Sequence, residues 1–367
     1  MATSQAAKRR ALAKKKAAKK RKKILLLIVE FFVLALLVVI VYGVTKAEKV
    51  TKVKIDEEEI VSKMNESVAE NETLKGYKNI ALFGVDSREG GLGQGTRSDT
   101  IIIASINYDT GDIRLCSVYR DTYLNLGNDS YNKCNAAYAK GGPEQAINML
   151  NMNLDMNITD YVTVGFTGLI ETIDALGGVY IDVAENEIVH LNNYQISMVG
   201  KTTDNKTFTA TEGVDYTAIK EPGYQLLNGL QATAYCRIRY VGNDFGRAER
   251  QRKVLAAVMD VCKKSDPAKL NSVLNAALPN VATSLGIDEM TSMLGDIAKY
   301  NITASDGFPF ESNRDTGNVG SKGSCVIPVN LEENVVLFHK FMFDEENYEV
   351  SPQIKQYSQK VSSDTGR

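Results

Sequence analysis

Tryptophan is missing from this sequence and histidine nearly so, with only His190 and His339. Two histidines argue against a histidine-rich metal site or a Ser-His-Asp triad, so carboxylates and arginines must carry any chemistry. The five cysteines, Cys116, Cys134, Cys236, Cys262 and Cys325, show no CxxC spacing, which argues against a zinc ribbon or a thioredoxin-like redox site. Their odd number leaves at least one thiol outside any bridge within the chain. A Cys262–Cys325 or Cys116–Cys134 bridge stays open, because spacing does not determine connectivity. Positive charge is short over most of the chain. The first 23 residues hold 11 basic and no acidic side chains, which leaves 32 basic against 45 acidic beyond Lys23, a net charge of −13. That part lacks the basic footprint of a general nucleic-acid binder.

The 367 residues are 44% hydrophobic and 24% charged, proportions that build a core. Residues 24–44 read ILLLIVEFFVLALLVVIVYGV, with Glu30 the only charge. At ~1.5 Å per residue this run crosses a hydrocarbon layer of ~30 Å and predicts a transmembrane helix. A cleaved signal peptide would have an apolar core of about 7 to 15 residues and small residues at its cleavage site, and this run has neither feature. Glu30 falls near the cytoplasmic end, where charge costs less. The basic arm, residues 1–23, sets the N-terminus in the cytoplasm by the positive-inside rule and leaves roughly 320 residues outside.

Residues 45–78 are charged and read as a stalk, with a helix over 56–70. Apolar runs at 79–85, 100–107 and 113–119 then predict strands. Y-D-T-G-D at 108–112 is hairpin chemistry, and pairing residues whose numbers sum to about 219 puts Asp99 opposite Arg120. Gly-Gly-Pro opens a helix over 143–156. A strand at 160–166, a helix at 167–176 closed by Gly177 and Gly178, and a strand at 179–183 make a candidate right-handed crossover. Residues 184–222 are polar and read as an irregular insertion. Helices are expected over 228–240, 244–264, 267–285 and 287–300, then a strand at 325–329 and a helix at 331–343, with 346–367 as a tail. This pattern fits one α/β domain with helices on both faces of a sheet.

Beyond the apolar run there are 11 arginines, and nine of them fall in two windows, 88–120 and 237–252. Arginine's planar fork matches phosphate oxygens bidentately and keeps its charge when desolvated. Two such windows in an acidic chain suggest a pyrophosphate or polyphosphate pocket. For Arg114 or Arg252 singly, surface ion pairing is the better reading. Carboxylates accompany the set: Asp86 and Arg88 in G-V-D-S-R, Arg97 and Asp99 in R-S-D-T, Arg120 and Asp121 in R-D-T, and Asp244 with Arg247 and Arg250 in N-D-F-G-R-A-E-R-Q. If the first and third strands run parallel, the first three motifs share one sheet edge. Mg²⁺ takes hard oxygens, usually one or two carboxylates plus substrate phosphates, so Asp99 and Asp244 would suffice. Asp244 has the alternative role of helix N-cap. Arg247 and Arg250, three apart, share a helical face. Arg237 and Arg239, two apart, diverge unless the preceding helix ends there. Gly90, Gly91, Gly93 and Gly95 fail the dinucleotide-loop test, since a strand rather than a helix follows.

These motifs, in this order and with Y-N-K-C-N-A-A-Y-A-K-G-G and Y-C-R-I-R-Y-V-G-N-D-F-G-R-A-E-R-Q, resemble the LytR-CpsA-Psr family over about residues 79–264. The resemblance implies one extracellular α/β domain, residues 79–345, with α-β-α layers around a mixed central sheet, behind a single N-terminal transmembrane helix. It also implies a Mg²⁺-dependent phosphotransferase of Gram-positive envelopes, moving a glycan polymer from undecaprenyl pyrophosphate to peptidoglycan, with a hydrophobic pocket for the prenyl chain. By the same resemblance Arg88, Arg120, Arg237 and Arg239 match pyrophosphate-binding positions, Asp99 and Asp244 match acidic positions tied to Mg²⁺ and activity, and Arg247 and Arg250 match a basic helix that joins the pyrophosphate-binding set. Tyr119 departs from the proline the family often has before R-D. Asp86 is the candidate for deprotonating an acceptor hydroxyl. Two other functions remain: hydrolysis of the same pyrophosphate, and a non-catalytic envelope receptor or regulator.

Overall fold

The computed structural model describes residues 53, 55–86, 91–202 and 208–367. The basic arm, the apolar run at 24–44 and Arg88 lie outside the described residues. Among the described residues no helix is long and apolar enough to cross a membrane.

Three short helices, α1 (Glu57–Ser62), α2 (Glu66–Ala69) and α3 (Glu72–Lys75), precede β1 (Tyr77–Val85), β2 (Ser98–Asn107) and β3 (Asp112–Val118). A small hairpin of β4 (Tyr123–Asn125) and β5 (Tyr131–Lys133) leads to α4 (Asn135–Leu154), β6 (Asp160–Gly165), α5 (Phe166–Leu176) and β7 (Val179–Val183). Then come α6 (Glu185–Val199), β8 (Lys201–Thr202), β9 (Phe208–Thr209), β10 (Gly223–Leu227), α7 (Gly229–Tyr235) and α8 (Asn243–Lys264). The chain closes with α9 (Pro267–Ala277), β11 (Val281–Thr283), α10 (Ile287–Gly295), β12 (Asn301–Phe308), β13 (Arg314–Asn318), β14 (Ser324–Pro328), α11 (Leu331–Phe343) and α12 (Pro352–Thr365).

Six strands form the central sheet in the order β11-β6-β1-β2-β3-β12. It is mixed, because β1 pairs parallel with β6 and β3 with β12, while the other three pairings are antiparallel. Alternation along the strands divides two cores. Phe83, Ile101, Ile103 and Val118 join residues of α4, α11 and α12 on one side. Ile80, Ile102, Ala104 and Leu115 meet Leu255 and Met259 of α8 and Met290 of α10 on the other. Both faces are covered, which gives the expected α-β-α layers.

Several expectations give way. The stalk assigned to 45–78 is part of the folded unit from α1 onward, since Ile60, Val68 and Leu74 are buried in the main core. One buried apolar residue per short helix is too few to show a period among charges. The tail at 346–367 likewise supplies α12, whose Ile354, Tyr357 and Val361 are buried in that core. Leu74→Ala is therefore expected to cost about 2–5 kcal/mol of stability, whereas a spacer residue would cost almost nothing; denaturant unfolding distinguishes the two.

The crossover expected at 160–183 does not form in one sheet, because β7 pairs with β10 in a separate two-stranded ribbon. Gly177 and Gly178 carry φ of 82° and 99°, which turns the chain away. A Cβ on Gly178 would lie 2.8 Å from the Leu227 carbonyl oxygen, so the ribbon closes only over glycine. Residues 184–222, expected to be irregular, hold the 15-residue helix α6. Its first turn is fixed by the Ala184 N–H donating to Glu187 Oε2 at 3.0 Å. The helix opened by Gly-Gly-Pro is the second half of α4, which kinks at Gly141 and Gly142. All five thiols are buried and unbridged, so neither candidate disulfide is present.

Candidate active site

The site grows from strand order. Because β2 runs antiparallel between β1 and β3, the ends of β1 and β3 and the start of β2 meet at one edge of the sheet. The register pairs Ile102 with Ser117, Ile103 with Cys116 and Ala104 with Leu115, the sum of 219 that the hairpin predicts. Asp99 and Arg120 accordingly meet, with Arg120 Nη1 donating to Asp99 Oδ1 at 2.8 Å.

Asp99 is the hub. Its Oδ2 accepts from Arg239 Nη2 at 3.2 Å, and its backbone carbonyl accepts from Arg247 Nη2 at 3.1 Å. Asp244 Oδ1 lies 3.2 Å from Arg247 Nη2 and 3.7 Å from Arg120 Nε. Asp121 sits 3.8 Å from Arg120 Nε and 3.5 Å from Lys133 Nζ. These side chains come from the exit of β3, the entry of β2, the end of β5, the segment after α7 and the start of α8. α7 ends at Tyr235, yet Arg237 and Arg239 still diverge, the first over Phe166 and the second on Asp99. Left-handed backbone at Gly242 (φ 75°) and Asn243 (φ 55°) then turns the chain into α8. Gly242 is the N-cap and no side chain caps it, so Asp244's carboxylate faces arginines instead of taking the N-cap position.

Charge here is incompletely compensated. Burial works against Arg120's charge, but Asp99 and Asp244 outweigh it and hold the guanidinium above its ordinary value. Burial pulls Arg247 down to about 10, and Arg120 and Arg239 push the same way against Asp244 and Asp99. Arg120 Nε, Arg247 Nε and Asp244 Oδ1 are buried and make no hydrogen bond. Unsatisfied buried polar atoms are rare, and three in one cluster mark a place built for a polar ligand.

Beside the cluster opens a polar cleft of about 800 Å³, lined by Asp86, Arg97, Asp99, Arg120, Asp121 and Lys133, with Ser321 and Lys322 on a further wall. Two candidate arginines are placed differently. Arg237 stacks over Phe166 at 4.5 Å and Tyr194 at 5.4 Å. Arg250, expected to hold pyrophosphate, is 4% exposed and committed elsewhere: its Nε donates to Glu187 Oε1 at 2.6 Å, and its Nη1 and Nη2 donate to the carbonyls of Ile238 and Val241. Arg88 lies outside the described residues. Asp121 and Lys133 take no role from the sequence alone, although both stand in the motifs quoted above. Ser321 and Lys322 leave no signal there, because the β13–β14 loop is distant in sequence.

Mg²⁺ fits this donor set only as an ion shared with a ligand. Among the described residues no group of three or more histidine, cysteine or carboxylate side chains could hold a metal. Both Asp99 oxygens already accept from arginines, whereas Asp244 Oδ1, a buried hard oxygen, makes no hydrogen bond and is held only by ion pairs with Arg247 and Arg120. One or two carboxylates completed by phosphate oxygens and water is the usual way a protein holds Mg²⁺.

Tyr119 is accommodated by a local set of neighbours. Its ring packs edge-on against Phe245 at 4.6 Å, and its hydroxyl accepts from Arg314 Nη1 at 3.0 Å. This ties the strand exit before Arg120 to the helix residue after Asp244. A Cβ at Gly307 would fall 2.1 Å from the Tyr119 hydroxyl oxygen. Gly307→Ala is expected to displace Tyr119 and cost about 1–3 kcal/mol, read as a fall in melting temperature with a parallel loss of activity.

A model described as the LytR_cpsA_psr family matches residues 37–320. TagU of Enterococcus faecalis, a polyisoprenyl-teichoic acid–peptidoglycan teichoic acid transferase, is 32% identical over 222 residues, 59% of this chain and 65% of the relative. TagV of Bacillus subtilis, of the same description, is 31% identical over 238 residues, 62% of this chain and 56% of the relative. The chain thus spans less than two thirds of the length of these relatives. A solved LytR-CPS2A-psr family protein, YwtF (TagT) of Bacillus subtilis with bound octaprenyl pyrophosphate lipid, aligns at a TM-score of 0.53 and 18% identity, over 76% of this chain and 96% of that one. That likeness shows a shared mixed α/β fold.

Proposed function

The chain belongs to the LytR-CpsA-Psr family, and from that premise we propose that it moves a glycan polymer from an undecaprenyl-pyrophosphate carrier to peptidoglycan. The observation that carries this reading is the gathering of Arg120, Arg239 and Arg247 on Asp99, beside buried polar atoms that make no hydrogen bond. The relatives named as teichoic acid transferases support it, and so does the octaprenyl pyrophosphate held by a protein of this fold.

In the proposed reaction an acceptor hydroxyl oxygen attacks the phosphorus that bears the glycan. The anhydride bond to the prenyl-linked phosphate breaks, a phosphodiester forms, and prenyl monophosphate leaves. Asp86, which lines the cleft, takes the hydroxyl proton. Arg120 and Arg239 hold the phosphoryl oxygens, and the buried Arg247 adds positive charge beside Asp99, where preorganised groups need no reorganisation as the reaction proceeds. Asp99 and Asp244 are the residues that would hold Mg²⁺, whose chemistry is to neutralise charge on the displaced phosphate. Arg88 and Arg237 remain assigned to the pyrophosphate in this reading. The apolar run at 24–44 anchors the chain with its N-terminus in the cytoplasm and the α/β domain outside.

Recognition of two phosphates makes a direct prediction. The full chain in detergent should bind a short prenyl pyrophosphate at least about tenfold more tightly than the matching monophosphate, the worth of one further charge-assisted hydrogen bond. Equal affinity in a calorimetric titration would remove the arginine cluster from the role assigned to it.

A further inference from the structure

Helix α6 lies in a segment whose sequence carries no recognisable role, yet one of its faces holds the arginine-bearing segment that follows α7. Glu187, His190 and Tyr194, spaced i, i+3 and i+7, share that face. Glu187 Oε1 accepts from Arg250 Nε at 2.6 Å, the His190 ring stacks on Tyr240 at 5.1 Å, and the Tyr194 ring lies 5.4 Å from the Arg237 guanidinium. The other two guanidinium nitrogens of Arg250 donate to the carbonyls of Ile238 at 3.2 Å and Val241 at 2.8 Å. Those two carbonyls bracket Arg239, which reaches Asp99 Oδ2.

We propose that Glu187 is a positioning residue for the transfer reaction: by orienting Arg250 it fixes the backbone of 238–241 so that Arg239 is delivered to Asp99. The inference rests on the phosphotransferase reading. Glu187 and Arg250 are 7% and 4% exposed. A buried ion pair is weak evidence for stability, since apolar residues of similar volume often replace one without loss, but it can select one conformation over others. Arg250 fits that use, because one of its nitrogens is taken by the carboxylate and the other two by carbonyls on either side of the working arginine. Glu187 Oε2, bound to the Ala184 N–H at 3.0 Å, ties the carboxylate to the start of its own helix.

The test is the double variant Glu187→Met/Arg250→Met in the full chain, measured for melting temperature, prenyl pyrophosphate affinity and kcat/KM. Positioning predicts a melting temperature near that of the wild type with kcat/KM lower by about 100-fold, the cost typical of an ångström-scale misplacement. It also predicts that in an Arg239→Ala background the same double change costs less than about threefold, because sites that act through one another are not additive. Undiminished loss in that background would overturn the proposal, and so would a double variant with wild-type kcat/KM. If the double variant does not fold, Glu187→Gln enters the same cycle, with the same shrinkage expected. A wild-type chain that fails to bind prenyl pyrophosphate overturns the phosphotransferase reading and this inference with it; wild-type binding with full additivity overturns this inference alone.

Discussion

Asp99→Asn is expected to lower kcat/KM by about a thousandfold, the upper range for loss of one preorganised electrostatic group, while leaving the melting temperature within a few degrees of the wild type. Asparagine keeps the side chain's shape but not its charge. Asp99 Oδ1 and Oδ2 receive Arg120 and Arg239, so in the variant one guanidinium keeps only an uncharged amide oxygen and the other faces an N–H donor. Arg247 keeps its bond to the backbone carbonyl of residue 99. Asp99 is nonetheless one of the charges that support Arg247's protonated form, and its loss weakens that support. The side chain at 99 is part-exposed, which is why folding should suffer little. Steady-state kinetics beside a thermal melt checks both halves; an equal collapse of stability and activity would assign Asp99 to the fold instead.

Arg120→Lys is expected to lower kcat by about 100-fold although it preserves the charge, because a lysine cannot replace an arginine whose nitrogens serve different partners. Nη1 meets Asp99, while Nε lies between 3.7 and 3.8 Å from Asp244 and Asp121. A single ammonium reaches one of these. If geometry is what matters, the loss falls on kcat more than on KM, as for an interaction strongest in the transition state. A variant that loses little would mean that the cleft uses Arg120 only as a point charge.

Much of this edge is legible in the amino-acid sequence. Two apolar strands joined by Y-D-T-G-D leave little freedom of register, since a slip of one residue would reverse every side chain. The pairing sum of 219 then brings Asp99 to Arg120. Helix spacing is a weaker guide. Arg247 and Arg250 are three apart, a spacing that puts them on one helical face, yet Arg247 turns to Asp99 and Asp244 while Arg250 turns to Glu187. Spacing reports angular neighbourhood, and what each side chain meets is set by distant segments, β2 for Arg247 and α6, 63 residues earlier, for Arg250. For the same reason nothing local to Lys322 marks it as part of the cleft wall. The buried Ile60, Val68 and Leu74 are hidden by the acidic residues around them.

The central claim is that this cluster transfers a glycan-bearing phosphoryl group. Its most direct test incubates the full chain in detergent micelles with undecaprenyl-pyrophosphate-linked glycan, Mg²⁺ and peptidoglycan fragments, and follows prenyl monophosphate and attached glycan together. Transfer at this cluster gives equal amounts of the two products, both lost in Asp99→Asn. Prenyl monophosphate without attached glycan would indicate hydrolysis, and tight lipid binding with neither product would contradict catalysis and leave a receptor.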